Sequence, residues 1–143
     1  MPLFGQEHVD RYLATDGQEG HDWQGTQTLL LTTTGRRTGR ARTVPLLYVG
    51  DGVRMVVIAS NWGGPRHPAW ALNLEANPAT RVSVAGVERA YTARHATSEE
   101  RERYWAQAVR VWPGYDDYRA RARREIRVFV LEPVELERSS NVS

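Results

Sequence analysis

Cysteine and lysine are both absent from this chain of 143 residues. Without cysteine there is no disulfide scaffold, no thiolate metal site and no cysteine nucleophile, and the composition fits a reducing cytoplasm. Without lysine, all nineteen basic residues are arginine, so every basic site carries a planar fork suited to phosphate or carboxylate. Long hydrophobic runs are missing too, which excludes a helical membrane span. The opening "MPLFGQEHVDRYLATDG" has neither a basic nor an apolar signal-peptide region, so the expected location is cytoplasmic. His8, His21, His67 and His95 are scattered without paired ligand spacing, so no metal site is expected. There is no Gly-x-Ser-x-Gly elbow and no Walker loop.

Acidic residues are missing from one stretch in particular. Between Trp23 and Gly50 stand Arg36, Arg37, Arg40 and Arg42 with no Asp or Glu among them, although the whole chain has a net charge of only +2. That near-balance argues against a general nucleic-acid partner and localises the positive charge to one loop. Gly35 and Gly39 frame the loop and permit positive φ and close backbone approach. Thr32, Thr33, Thr34, Thr38 and Thr43 interleave neutral phosphate ligands with the guanidinium groups. Clustered cations repel one another, and a bound anion removes that cost. A single phosphate or phosphodiester is the natural guest; a charged, solubilising hairpin is the plain alternative.

The rest of the chain reads as strands with a few helices. A short helix is predicted at 6–14, strands at 26–34, 42–50 and 53–60, and a hairpin turn at Asp51-Gly52. A helix follows from Pro68 and closes before Pro78, then a second hairpin about Gly86. "TSEE" at 97–100 is a capping box opening a helix through Trp112. Pro113-Gly114 breaks it before a further helix at 115–125, and 126–136 closes as a strand. These six strands lack βαβ alternation. They predict a mostly β (α+β) fold, an antiparallel sheet rolled into a small barrel with short helices packed outside. The expected organisation is an N-terminal extension over 1–25, one barrel domain over 26–137 and a frayed tail over 138–143.

Two more stretches carry chemistry. "ASNWGGPRHPAW" (59–70) leads from a strand into a helix, and Gly63-Gly64 lets backbone N–H groups face a flat ring or an oxyanion. Trp112, Tyr115 and Tyr118 recur every three residues around a helix break, as core side chains or as the wall of an open pocket. No acid, base and nucleophile set accompanies them, so a reaction here relies on a cofactor.

"LLLTTTGRRTGRARTVPLLY", "VIASNWGGPRHPAWALNLEANP", "WPGYDDY" and "REIRVFVLEPVE" together resemble the deazaflavin-dependent nitroreductase family. The resemblance covers residues 20–135 and implies a six-stranded split β-barrel, similar to FMN-binding barrels, that uses coenzyme F420. It implies that Arg36, Arg37, Thr38, Gly39, Arg40 and Arg42 hold the coenzyme's tail phosphate, and that Ala59, Ser60, Asn61, Trp62, Gly63 and Gly64 line its ring. Ser60, Tyr115 and Tyr118 are then the catalytic candidates. Trp112, Tyr115 and Tyr118 wall the substrate pocket, while Pro68, Trp70 and Asn73 are structural positions. Asn61 replaces a frequent basic residue, which weakens one tail contact, Trp62 is an addition, and Trp112 stands where a tyrosine can occur; the choice of coenzyme survives these changes and the choice of substrate does not. The implied reaction is hydride transfer from the reduced deazaflavin to a small flat acceptor, a quinone, nitroaromatic or activated enone, in a possible homodimer. The alternatives are an FMN-dependent oxidoreductase on the same barrel and a non-catalytic module binding a phosphate or polyanion.

Overall fold

The computed structural model describes residues 5–15, 22–23, 26–60, 64, 66–122 and 124–134. Along the chain these form α1 (Gly5–Ala14), β1 (Asp22–Trp23), β2 (Thr26–Thr34), β3 (Ala41–Leu47), β4 (Val49–Asp51) and β5 (Arg54–Ile58). Then come α2 (Ala69–Ala76), β6 (Ala79–Val84), β7 (Val87–His95), α3 (Ser98–Val111), α4 (Gly114–Arg121) and β8 (Val128–Pro133). All strand pairs are antiparallel, and the sheet runs β1-β2-β6-β7-β8-β5-β4 with β3 hydrogen-bonded to β2 alone.

The described residues hold eight strands where six were expected. β1 is an added two-residue pairing, Asp22 with Gln27 and Trp23 with Thr26. The other extra strand arises at Tyr48, where the expected strand 42–50 divides. Its first part pairs with β2, from Thr34–Ala41 to Thr28–Leu47, and its second part pairs with β5, from Val49–Val56 to Asp51–Arg54. β3 and β5 touch without sharing a ladder, so the curled sheet has a seam there. Pro45 lies in β3 opposite Leu30. A residue without an N–H belongs on a strand with one free edge, as β3 has.

Strand alternation sorts the core into layers. On the concave face Leu29, Leu31, Val57, Val82, Tyr91, Phe129 and Leu131 pack around Trp70, Ala71 and Leu74 of α2. That helix is mostly apolar where it packs on the sheet, with Glu75 left exposed; Pro68 caps it with φ −65° and the Asn77 cap precedes Pro78. On the convex face of β4, β5 and β8, Val56, Ile58, Val128 and Val130 meet Tyr104, Trp105, Ala108 and Tyr115 of α3 and α4. α1 covers Leu30 from outside with Val9 and Tyr12. The Tyr12 hydroxyl accepts from Ala85 N at 2.6 Å and donates to Thr28 O at 3.3 Å.

The turns follow their sequences. Gly52 has φ +62° in the β4–β5 hairpin, and Ala85 and Gly86 have φ +49° and +88° between the paired Val84 and Val87. Two central residues with positive φ are the mark of a type I′ hairpin. Thr97 and Glu100 form the expected capping box. α3 ends one residue before Trp112, and the helix expected over 115–125 closes at Arg121. The last strand is Val128–Pro133 rather than 126–136. The frayed tail expected at 138–143 lies outside the described residues. Among those residues no helix is long and apolar enough to cross a membrane.

Candidate functional site

The turn between β2 and β3 is built by its two glycines. Gly39 has φ +72°, which any other residue adopts only with strain. Gly35 is needed for space: a Cβ there would lie 2.7 Å from Thr38 Oγ1 and 3.2 Å from Arg40 O. The turn closes on itself through Gly35 N–Arg40 O (2.7 Å), Gly39 N–Gly35 O (2.8 Å) and Arg40 N–Thr38 Oγ1 (3.2 Å). The amides of Arg37 and Thr38 meet no protein acceptor among the described residues. Arg36, Arg37, Arg40 and Arg42 are all exposed, and among the described residues none pairs with a carboxylate.

One buried side chain fixes this turn to the core. Asn73 of α2 accepts from Arg36 N at Oδ1 (3.1 Å) and donates from Nδ2 to Thr33 Oγ1 (3.1 Å). Asn73 and Thr33 are 5% and 2% exposed, so the bond between them is shielded from water, while the bond to Arg36 N lies at the edge of the exposed turn. The loop is thereby anchored at its first residue and open along its other side.

Beyond β5, the chain enters the second stretch. Ala59 is fully buried on the concave side, and its N–H donates to Arg127 O at 2.9 Å. Ser60 is nine-tenths buried and lies past the end of β5, where regular strand alternation has stopped. Asn61, Trp62 and Gly63 lie outside the described residues; Gly64 is half-buried. Arg124, between α4 and β8, gathers the segment: it donates to Ser60 O (2.8 Å), Gly64 O (3.1 Å) and Ala59 O (3.3 Å). Its Nη1 also lies 3.1 Å from His67 Nδ1. A guanidinium has no acceptor, so Nδ1 accepts and the His67 proton sits on Nε2. Burial, then the Arg127 and Arg124 charges, hold the His67 imidazole below its ordinary range, which suits a neutral ring in that role.

Trp112, Tyr115 and Tyr118 are brought together at the α3–α4 junction. Trp112 Nε1 donates to the Tyr118 hydroxyl at 3.1 Å, and the Tyr115 and Tyr118 rings meet edge to face at 6.0 Å. Gly114 makes this possible, because a Cβ there would lie 2.8 Å from Trp112 Nε1 and 3.3 Å from the Tyr118 hydroxyl. Tyr115 belongs to the convex core beside Trp105, and burial pushes its phenol well above the ordinary range. It therefore stays a neutral phenol. Leu47, Tyr48, Val49, Val56, Ile58, Val111 and Tyr115 line a narrow apolar crevice along the β4–β5 face.

By the ladder registers, the arginine turn after β2 and the strand-to-helix segment after β5 leave the same end of the sheet, and the aromatic junction packs on the convex face of β5 and β8. Residues 4–133 match the family described as F420H(2)-dependent quinone reductase. The chain belongs to this quinone reductase family. An F420H(2)-dependent quinone reductase of Mycobacterium tuberculosis is 37% identical over 133 residues, covering 87% of this chain and 86% of that protein. The solved structure of an F420-H2 dependent reductase (FDR-A) is 39% identical with a TM-score of 0.68, covering 73% of this chain and 93% of that one. A second solved relative, a domain-swapped dimer, is 36% identical with a TM-score of 0.72 and covers 88% and 92%.

For this quinone reductase family member, sequence reading took Asn73 as structural, offered Thr33 among the phosphate ligands and passed over Arg124; Thr33 is instead 2% exposed with its hydroxyl oxygen bonded to Asn73, so it serves the core and not the loop's guest. Asn73 carried a signal: it is the one polar side chain among the buried positions Trp70, Ala71, Asn73 and Leu74 of a helix whose other polar residue, Glu75, is exposed. Thr33 carried a weaker one, as an inward position of β2 by alternation. Arg124 carried none, being one arginine in a run of several.

Proposed function

We propose that this chain is an F420H2-dependent oxidoreductase that reduces a flat, electron-poor acceptor, with quinones as the first class to test and nitroaromatics or enones after them. The observation that carries the reading is the arginine turn of a quinone reductase family member, exposed, without carboxylates and anchored by Asn73. The fit to a phosphate-bearing tail rests on donor chemistry. Four guanidinium groups, the unpaired amides of Arg37 and Thr38 and no competing acid suit a phosphodiester. In this reading Arg36, Arg37, Thr38, Gly39, Arg40 and Arg42 hold the tail, and the stretch 59–64 lines the ring. The seam between β3 and β5 is then the opening of a split barrel formed by residues 26–137.

When bound, the reduced deazaflavin supplies the hydride. The chain's own residues position and shield. Ser60, just past β5, carries a hydroxyl able to donate to a reducible oxygen, and Tyr118 offers a phenol held in place by Trp112. The half-buried Trp112 and the apolar crevice lower local water access, which strengthens polar contacts made there. Tyr115 supports Tyr118 edge-on from the core. A homodimer is part of the proposal, supported by the domain-swapped relative and tested by size-exclusion chromatography with light scattering.

The test is a fluorescence titration of the purified protein with coenzyme F420, with FMN in parallel, followed by quinone-dependent oxidation of the reduced coenzyme. Saturable binding of F420 and quinone-dependent turnover are expected. Binding of FMN alone would move the assignment to a flavin enzyme. Binding of neither would leave the arginine turn as a simple anion site and end the reading.

A further inference from the structure

Arg124 is singular among the described arginines. Its guanidinium reaches three backbone carbonyls and an imidazole nitrogen of a single segment: Ala59 O, Ser60 O, Gly64 O and His67 Nδ1. All four acceptors are neutral, and among the described residues no carboxylate pairs with it. Burial draws its pKa down, with Arg127 adding to the effect. A partly buried cation without a counter-charge is an expensive way to brace a loop, unless an electron-rich guest settles on the other side of that loop.

The peptide between Ala59 and Ser60 shows how the bracing acts. Its carbonyl is turned onto Arg124, so planarity turns the Ser60 N–H the opposite way. That N–H has no protein acceptor among the described residues, whereas the N–H of Ala59 is bonded to Arg127 O. One charged fork thus draws carbonyl oxygens to one side of the segment and leaves a donor on the other. Arg124 also lies between α4 and β8, so the same contacts hold the segment to the element that carries Tyr115 and Tyr118.

We propose that Arg124 is the positioning residue of the strand-to-helix segment, holding Ala59, Ser60, Gly64 and His67 in the form that takes the coenzyme. The proposal rests on the F420 reading above and deepens it. It assigns Arg124 no contact with the coenzyme or the acceptor. Lysine is no substitute: an ammonium is a point donor and fails to span carbonyls that a planar fork reaches together.

The experiment compares wild type with Arg124→Lys and Arg124→Gln by three readouts: coenzyme titration, amide hydrogen exchange in the coenzyme-free protein, and thermal unfolding. Both variants should raise the coenzyme dissociation constant by about tenfold or more, the equivalent of one lost charged hydrogen bond. Exchange should quicken at the bonded amides that flank the segment, Ala59 (to Arg127 O) and Ala71 (to Pro68 O), while the core strands β6 and β7 keep their protection. Arg40→Ala, in contrast, should weaken coenzyme binding without changing exchange at those amides. An Arg124→Lys protein with wild-type affinity and wild-type exchange overturns the proposal, as does a uniform loss of protection across the sheet. If Arg124→Gln does not fold, Arg124→Lys decides, because it keeps the charge and most of the volume. Millimolar guanidinium should restore affinity to Arg124→Ala, a rescue that a general folding defect would not show. A wild-type protein that binds no coenzyme, yet whose segment exchange still depends on Arg124, would sink the functional reading and with it the coenzyme role given to Arg124.

Discussion

Replacing Asn73 with alanine separates the anchoring of the arginine turn from its charge. The amide makes two bonds, to Arg36 N and Thr33 Oγ1, each 3.1 Å long. They are not equivalent. Arg36 is exposed, so its N–H is rehydrated when Asn73 is removed, and the loss there is about 1 kcal/mol. Thr33 is 2% exposed, so its hydroxyl oxygen loses its donor away from water, at a cost of about 1–2 kcal/mol. Alanine returns roughly 0.5 kcal/mol through its better helix propensity. The net loss is about 2 kcal/mol, which lowers Tm by roughly 6 °C for a chain of this length. Calorimetry on Asn73→Ala, Thr33→Val and the double variant gives the coupling directly. The two single losses should exceed the double loss by about 1 kcal/mol, because the shared bond is counted twice. Coenzyme affinity should fall in Asn73→Ala although every arginine is intact. A Tm within about 1 °C of wild type, or strict additivity in the cycle, would refute the anchoring argument.

Three further outcomes follow from the same geometry. Arg40→Ala should raise the coenzyme dissociation constant about 10- to 100-fold by titration, with Tm unchanged, since the side chain has no carboxylate partner to lose. Gly114→Ala places a Cβ 2.8 Å from Trp112 Nε1, so the indole must shift and its bond to Tyr118 break; steady-state kinetics should show a higher KM for the acceptor with unchanged coenzyme affinity. Arg94 beside Glu100 holds that carboxyl down to about 2 from its ordinary 4.5, and Arg54 and then Arg94 lower Glu132. A depressed carboxyl stabilises the fold above its unfolded pKa and loses that contribution as pH falls through the folded one. Thermal stability should therefore decline from about pH 4.5 towards pH 2, with a shallower slope in Glu100→Gln.

What could be read from the sequence was what is local. The arginine turn announces itself through charge without acids and two glycines, and the structure shows a separate reason for each glycine, φ at Gly39 and space at Gly35. The capping box at Thr97, the limits of α2 at Pro68 and Pro78 and both hairpin turns are equally short-range. The division at Tyr48 is not. Nothing within 42–50 states that its first part pairs with β2 and its second with β5; pairing depends on which strands the curled sheet brings alongside. Pro45 held the one clue, since a proline in a strand demands a free edge.

The same limit explains the missed residue in the site. Arg119, Arg121, Arg124 and Arg127 are alike in sequence, but each meets a different partner, and for all but Arg121 that partner is distant in the chain. Arg119 pairs with Glu102 and lies over Trp105, Arg121 lies over Tyr118, and Arg127 pairs with Glu75, which also contacts His95. Arg124 reaches back 64 residues to the Ser60 carbonyl. Only the pairing of β5 with β8, which sets Ile58 opposite Val128, brings that approach about. A function carried by one loop leaves a mark in composition. One carried by the register between two strands does not, because any arginine in the run would look the same until the sheet is closed.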